Sequence, residues 1–98
     1  MLVKIHRSYR NVVALCDESL IGKKLSEGKM QLDVRENFYN GEKMTPAEVK
    51  NLLIRQAKED ASFNIVGEES IKLALETEII TEDDIGHIQG IPFALTLL

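Results

Sequence analysis

Thr45-Pro46-Ala47-Glu48 is the segment that most narrows what this chain can fold into. A threonine hydroxyl can cap the first turn of a helix. Proline suits the first helical position, where a missing N–H costs nothing. Glu48 can reach back to the Thr45 backbone and complete a capping box. Val49, Leu52, Leu53 and Ala57 then fall on one apolar stripe. The pattern predicts a helix to about residue 60, with Asn51, Arg55, Lys58 and Glu59 in water. A helix with one apolar face must bury it against a second layer.

The segments on either side supply that layer. Leu2 to His6 alternates in polarity, and Asn11 to Cys16 is rich in β-branched residues; both read as strands. Ser8 to Asn11 suits a hairpin turn between them. Such a turn places Arg7 opposite Val12 and Val3 opposite Cys16. Asp17 to Gly28 reads as a loop with one helical turn. Lys29 to Arg35 reads as a third strand, with Met30, Leu32 and Val34 on one face. Glu36 to Lys43 is turn chemistry around an aromatic pair. Phe63 to Val66 is a short strand ending at Gly67, and Glu68 to Glu76 a second helix with Ile71, Ala74 and Leu75 inward. Thr81 to Asp84 opens a third short helix that Gly90 stops. Phe93 to Leu98 is an apolar run, expected as a strand buried on both faces. The predicted order is β-β-β-α-β-α-α-β, with residues 1–98 as one domain. The last two strands are far enough apart for a right-handed crossover between parallel neighbours. The expected fold class is α+β: a mixed β-sheet with an N-terminal antiparallel hairpin and two to three helices packed on it.

Charge divides the chain. Residues 1–58 hold 11 basic and 7 acidic side chains, while residues 59–98 hold 1 and 9. Such asymmetry is a hint of an ionic partner. The overall net charge of −4 argues against nucleic-acid binding by the whole surface, so a local basic patch is required. The single cysteine excludes an internal disulfide and fits a reducing cytosol. Lys4, His6 and Arg7 break the apolar N-terminal stretch, and no apolar run approaches the roughly 20 residues of a membrane helix. A cytoplasmic protein with no membrane partner is expected.

Four segments together carry a resemblance: VVALCDESLIGKKLSEG (12–28), ENFYNGE (36–42), FNIVGEESI (63–71) and IQGIPFA (88–94). In their order and spacing the chain resembles a family of short archaeal proteins known only as a domain of unknown function. The resemblance spans nearly the whole chain. It implies a small stand-alone archaeal cytoplasmic protein and supplies no activity.

The candidate chemistry is sparse. Cys16-Asp17 could form a reactive thiol only with a base nearby. In the expected register His6 lies about 10 Å away on the opposite face, and Asp17 raises the thiol pKa. A buried, inert cysteine is therefore expected. Gly22-Lys23-Lys24 is similar to the end of a phosphate-binding loop. However, Asp17 stands where that motif needs glycine, and Lys24 where it needs Ser or Thr. Gly67 opens a helix, a possible anion site, but Glu68 and Glu69 oppose an anion there. A tight strand-to-helix turn explains the glycine better. No histidine, cysteine or acid has metal-ligand spacing, so no metal and no cofactor are expected. Glu82, Asp83 and Asp84 read as capping acids.

Phe38-Tyr39 is an aromatic pair in a chain that is only 5% aromatic. If extended, one ring anchors the loop and the other is exposed; Tyr39 near Arg35 and Lys43 could stack on a base. Lys4, Arg7, Arg10, Lys23, Lys24 and Lys29 form the basic set. If Lys23 and Lys24 fold beside the hairpin turn, they make a phosphate-binding patch with Lys4, Arg7 and Arg10; otherwise they are ordinary solvated lysines.

The leading expectation is a noncatalytic binding module with RNA or a ribonucleoprotein as partner. Its contacts would be Lys4, Arg7, Arg10, Lys23, Lys24 and Tyr39. A protein–protein module or homodimer without nucleic acid is the alternative, favoured by a large exposed apolar patch, especially one containing Val13 and Leu15. A small enzyme with a pocket between the Cys16-Asp17 loop and the Gly67 turn is the third, favoured by a deep polar pocket holding Asp17, Asn64 or Glu68.

Overall fold

A computed structural model describes residues 1–96. Its centre is a mixed six-stranded sheet in the order β5-β1-β2-β6-β8-β7. The strands are β1 (Leu2–His6), β2 (Val12–Cys16), β5 (Glu42–Lys43), β6 (Ser62–Val66), β7 (Gly86–Ile88) and β8 (Ile91–Thr96). A separate hairpin pairs β3 (Lys24–Glu27) with β4 (Met30–Asp33). The helices are α1 (Glu36–Tyr39), α2 (Pro46–Lys58) and α3 (Glu68–Glu76). This is the expected α+β class, with the N-terminal hairpin antiparallel.

Helix α2 starts where its capping box requires. Thr45 N donates to Glu48 Oε1 at 3.0 Å, and Glu48 N donates to Thr45 Oγ1 at 3.3 Å. The bonds from Thr45 hold the Glu48 carboxyl below the usual carboxylate range. Val49, Leu52 and Leu53 are buried, as their spacing predicts. Together with Ile71, Leu73 and Ala74 of α3 they cover one sheet face, which presents Val3, Val13, Leu15, Phe63, Ile65 and Ala94. The other face presents Leu2, Ala14, Cys16 and Val66, under Leu20, Val34 and Tyr39. Strand β2 is thus buried on both sides.

Three topological expectations are corrected. The parallel pair is β2 with β6, and β6 with β8 is antiparallel. The expected third helix is only a 3₁₀ turn at Glu82–Asp84; the chain then forms β7 and reverses at Gln89-Gly90 into β8. Both turn residues have positive φ, 51° and 77°, which matches the right-handed twist of a two-residue hairpin. The expected loop at 17–28 holds strand β3. Gly28, at φ 60°, turns it onto β4, so the third predicted strand pairs outside the main sheet.

Register is the fourth correction. His6 lies opposite Val12 and Leu2 opposite Cys16, one residue from the expected pairing. The Asn11 carbonyl accepts from Ser62 N at 3.0 Å, which takes Asn11 out of the hairpin and lengthens the turn. A slip of one residue moves side chains to the other face. His6 and Cys16 therefore share a face, contrary to expectation. They remain four residue steps apart along β1, roughly 13 Å.

The C-terminal run is not buried on both faces. Leu95 is 54% exposed, because β7 pairs only with Ile91 to Phe93. The part of that predicted strand at Leu97 and Leu98 lies outside the described residues.

Candidate functional site

Among the described residues, the turn between β1 and β2 is where full exposure, positive charge and an aromatic ring come together. Arg7, Tyr9 and Arg10 are all exposed, Tyr9 at 103% of its reference area. The Ser8 hydroxyl donates to the Arg10 carbonyl and closes the bend beneath them. Asn11 ties this tip to the end of α2: its side-chain amide donates to Gln56 Oε1 at 3.2 Å. Arg55 and Lys58 in the last turn of α2 thus stand at the same end of the molecule. Arg55 Nε makes one long bond, 3.4 Å, to the Asn51 carbonyl. Among the described residues the ion pairs are Lys43–Glu18 and Lys50–Glu76, so none of these four cations is neutralised by a neighbour there. Glu59 and Asp60 follow Lys58 and reduce this surplus of charge without cancelling it.

The other predicted contacts are dispersed. Lys4 Nζ donates to the Asn37 carbonyl at 2.8 Å and holds α1 over β1. Lys23 and Lys24 follow the far end of β2, roughly 13 Å of strand from the tip. Lys24 lies opposite Asp33 in the β3–β4 hairpin, and the Lys23 carbonyl accepts from Val34 N. The patch expected from Lys23, Lys24, Arg7 and Arg10 does not assemble, because a five-residue strand separates its halves. Lys29 sits in the β3–β4 turn.

Tyr39 is a correction of a different kind. It is 4% exposed and belongs to the core cluster with Cys16 and Val34. The segment is helical rather than extended, so both rings turn inward instead of to opposite sides. Phe38 stacks on His6 at 4.3 Å and meets Tyr39 edge-on at 5.1 Å. His6 Nε2 also lies 2.8 Å from the Phe38 carbonyl oxygen. The exposed aromatic is Tyr9. Its flanking arginines are a signal in the sequence; its exposure is not.

The opposite end holds a cleft half lined by acids, with Glu18 of that lining paired to Lys43. This open cleft of about 510 Å³ is lined by Asp17, Glu18, Ser19, Glu68 and Glu69, with Met1, Leu20 and Ile91. Asp17 is not available for chemistry there. Its carboxylate accepts from Glu69 N at 3.2 Å, and from Ser70 N and Ser70 Oγ at 2.9 and 2.7 Å. It caps α3 from another element, since Gly67 has no side chain to do so. Gly67 has φ 114°, and a Cβ there would lie 2.3 Å from the Asp17 carboxyl carbon. The glycine therefore serves both the turn and the cap.

The Cys16 thiol is buried; that burial, with Asp17 beside it, pushes its pKa up to about 11. Burial, with Cys16 nearby, pushes Tyr39 up to about 12. Neither group is an ionised nucleophile near neutral pH. Gly22 N donates to Val34 O at 2.7 Å, so this amide is committed to the backbone and does not face a phosphate. Among the described residues no group of three or more His, Cys, Asp or Glu side chains could hold a metal. No helix there is long and apolar enough to cross a membrane.

The fold is shared with a solved structure, described as that of an uncharacterized conserved protein from the archaeon Methanopyrus kandleri. The two chains are 29% identical with a TM-score of 0.84, over 97% of this chain and 88% of the other. No curated protein matches this chain. Residues 6–97 match the model of the family described as "Protein of unknown function (DUF424)", and the chain belongs to that family.

Proposed function

We propose that the protein is a noncatalytic, cytoplasmic RNA-binding module that contacts RNA through the β1–β2 tip and the adjoining end of α2. The carrying observation is the tip itself: Arg7 and Arg10 flank a fully exposed Tyr9, with Arg55 and Lys58 at the same end and no ion pair to any of them among the described residues. Guanidinium groups suit phosphate oxygens, and both arginines at the tip are exposed to meet them.

The competing readings have less support. A protein interface at Val13 and Leu15 has no exposed surface to use, since both are fully buried. A reaction at Asp17 lacks a free carboxylate, and Cys16 lacks a base in reach.

Binding of a labelled RNA measured against salt tests the proposal. Four phosphate contacts correspond to a log–log slope of about −3 on a single strand. Absence of binding at low salt rejects the RNA reading and leaves a protein partner as the leading one.

A further inference from the structure

We infer that Tyr9 is a stacking platform for one unpaired base, so that the RNA taken at the tip is single-stranded; this rests on the RNA reading above. The aromatic pairs among the described residues are His6–Phe38 and Phe38–Tyr39, which leaves the Tyr9 ring without an aromatic neighbour there. At 103% exposure both of its faces are open to solvent. The ring does not hang from a long loop. It sits in a five-residue connection, 7–11, between paired strands, and the Ser8–Arg10 hydrogen bond closes the bend at its centre. The backbone that carries the ring is therefore held short and closed.

An exposed aromatic face has one kind of nucleic-acid partner that uses its whole area, the face of a base. In duplex RNA those faces are covered by neighbouring base pairs, and the deep, narrow major groove excludes side chains. A single strand, loop or bulge presents them. Arg7 and Arg10 on either side of the ring can hold the phosphates flanking the stacked nucleotide, as their pairing with phosphate requires no sequence. The side-chain amides at the tip, Asn11 and Gln56, are paired with each other rather than turned to the ring, so the inferred binding is tolerant of sequence.

The test uses the whole protein and an unstructured RNA of about ten nucleotides, free or annealed to its complement. Wild type is expected to bind the single strand at least about tenfold more tightly than the duplex, with quenching of tyrosine fluorescence. The chain has two tyrosines and no tryptophan, and Tyr39 is buried, so the quenched signal reports Tyr9. Tyr9→Ala should weaken single-strand binding about tenfold and leave duplex binding unchanged, while Tyr9→Phe, which keeps the ring, should bind as wild type. Because Tyr9 has no buried contacts, neither variant threatens the fold. If Tyr9→Ala binds the single strand as wild type does, or if duplex binds equally well, stacking is overturned while the RNA reading stands. If neither RNA binds at low salt, both fail.

Discussion

Asp17 links two parts of the chain that lie 52 positions apart in sequence. Its carboxylate takes the backbone amides of Glu69 and Ser70 and the buried Ser70 hydroxyl. Asp17→Ala leaves these donors without a partner and is expected to cost about 2 kcal/mol. Gly67→Ala places a methyl against the same carboxylate at φ 114° and should cost at least as much. The double variant should cost less than the two single costs added, by about 0.5 kcal/mol or more, because without the carboxylate the methyl has room. Urea unfolding of the four proteins measures this; strict additivity would mean that the two residues do not act on each other. The sequence hints at this pair only indirectly, through a helix whose N-cap position holds a glycine with no side-chain oxygen.

Cys16 and Tyr39 set the alkaline limit. Burial raises both pKa values, to about 11 and about 12, so the folded state holds both protons more tightly than the unfolded chain. Their contribution is full below about pH 9 and is lost as pH rises through the folded values. Denaturant midpoints should therefore fall between about pH 9 and about pH 12, and Tyr39→Phe should flatten the part of the decline above about pH 10. At neutral pH a thiol reagent should label Cys16 only on unfolding. Rapid labelling of the folded protein would contradict its burial. The cysteine lacks a base even though the hairpin register differs by one from expectation, because distance rather than face separates His6 from Cys16.

Among the elements, α2 is the most legible. Its start, its stripe and its solvent face follow from residues 45–59 alone. Thr45→Ala should cost about 1 kcal/mol, read as a lower denaturant midpoint. An unchanged midpoint would show that the Glu48 return bond suffices without the threonine hydroxyl. The span of α3, Glu68–Glu76, is equally legible, from Gly67 and the acids behind it. Residues 81–90 mislead because capping acids at Glu82–Asp84 begin a 3₁₀ turn as readily as an α-helix. Only pairing with β8 makes a strand of Gly86 to Ile88. Strand β3 is illegible because Lys24 to Glu27 has a single apolar residue, Leu25, and no alternation to register. Its partner β4 is visible as a strand, but nothing local says that it pairs outside the main sheet. The ENFYNGE segment reads as turn chemistry and forms one helical turn, with Phe38 packed on a histidine 32 positions away.

For the whole molecule, charge polarity is the functional proposal in its plainest form. The cations at the tip lie a strand's length from the cleft lined by Glu18, Glu68 and Glu69. Reversing Arg7 and Arg10 to Glu should weaken RNA binding at least tenfold and flatten its salt dependence by about 1.4 in slope, two phosphate contacts on a single strand. Reversing Lys23 and Lys24, which lie at the other end of β2, should have a much smaller effect. Reversing Glu82 and Asp83 to Lys should not weaken binding. Equal losses from the Arg7/Arg10 and Lys23/Lys24 pairs would mean that the contact surface is not the tip.

What the sequence determined by itself was local: the α+β class, the two main helices, the N-terminal hairpin, the capping box and the burial of the cysteine. Each depends on residues within a few positions of one another, where periodicity and capping chemistry act. What only the tertiary structure decided was non-local: the parallel pairing of β2 with β6, the register of the hairpin, Asp17 as the cap of a distant helix, and which aromatic reaches solvent. Tyr9 and Tyr39 have the same side chain, and each has a cation within four positions on either side. Burial separates them, and burial is set by what the rest of the chain packs against, which no short window of sequence contains.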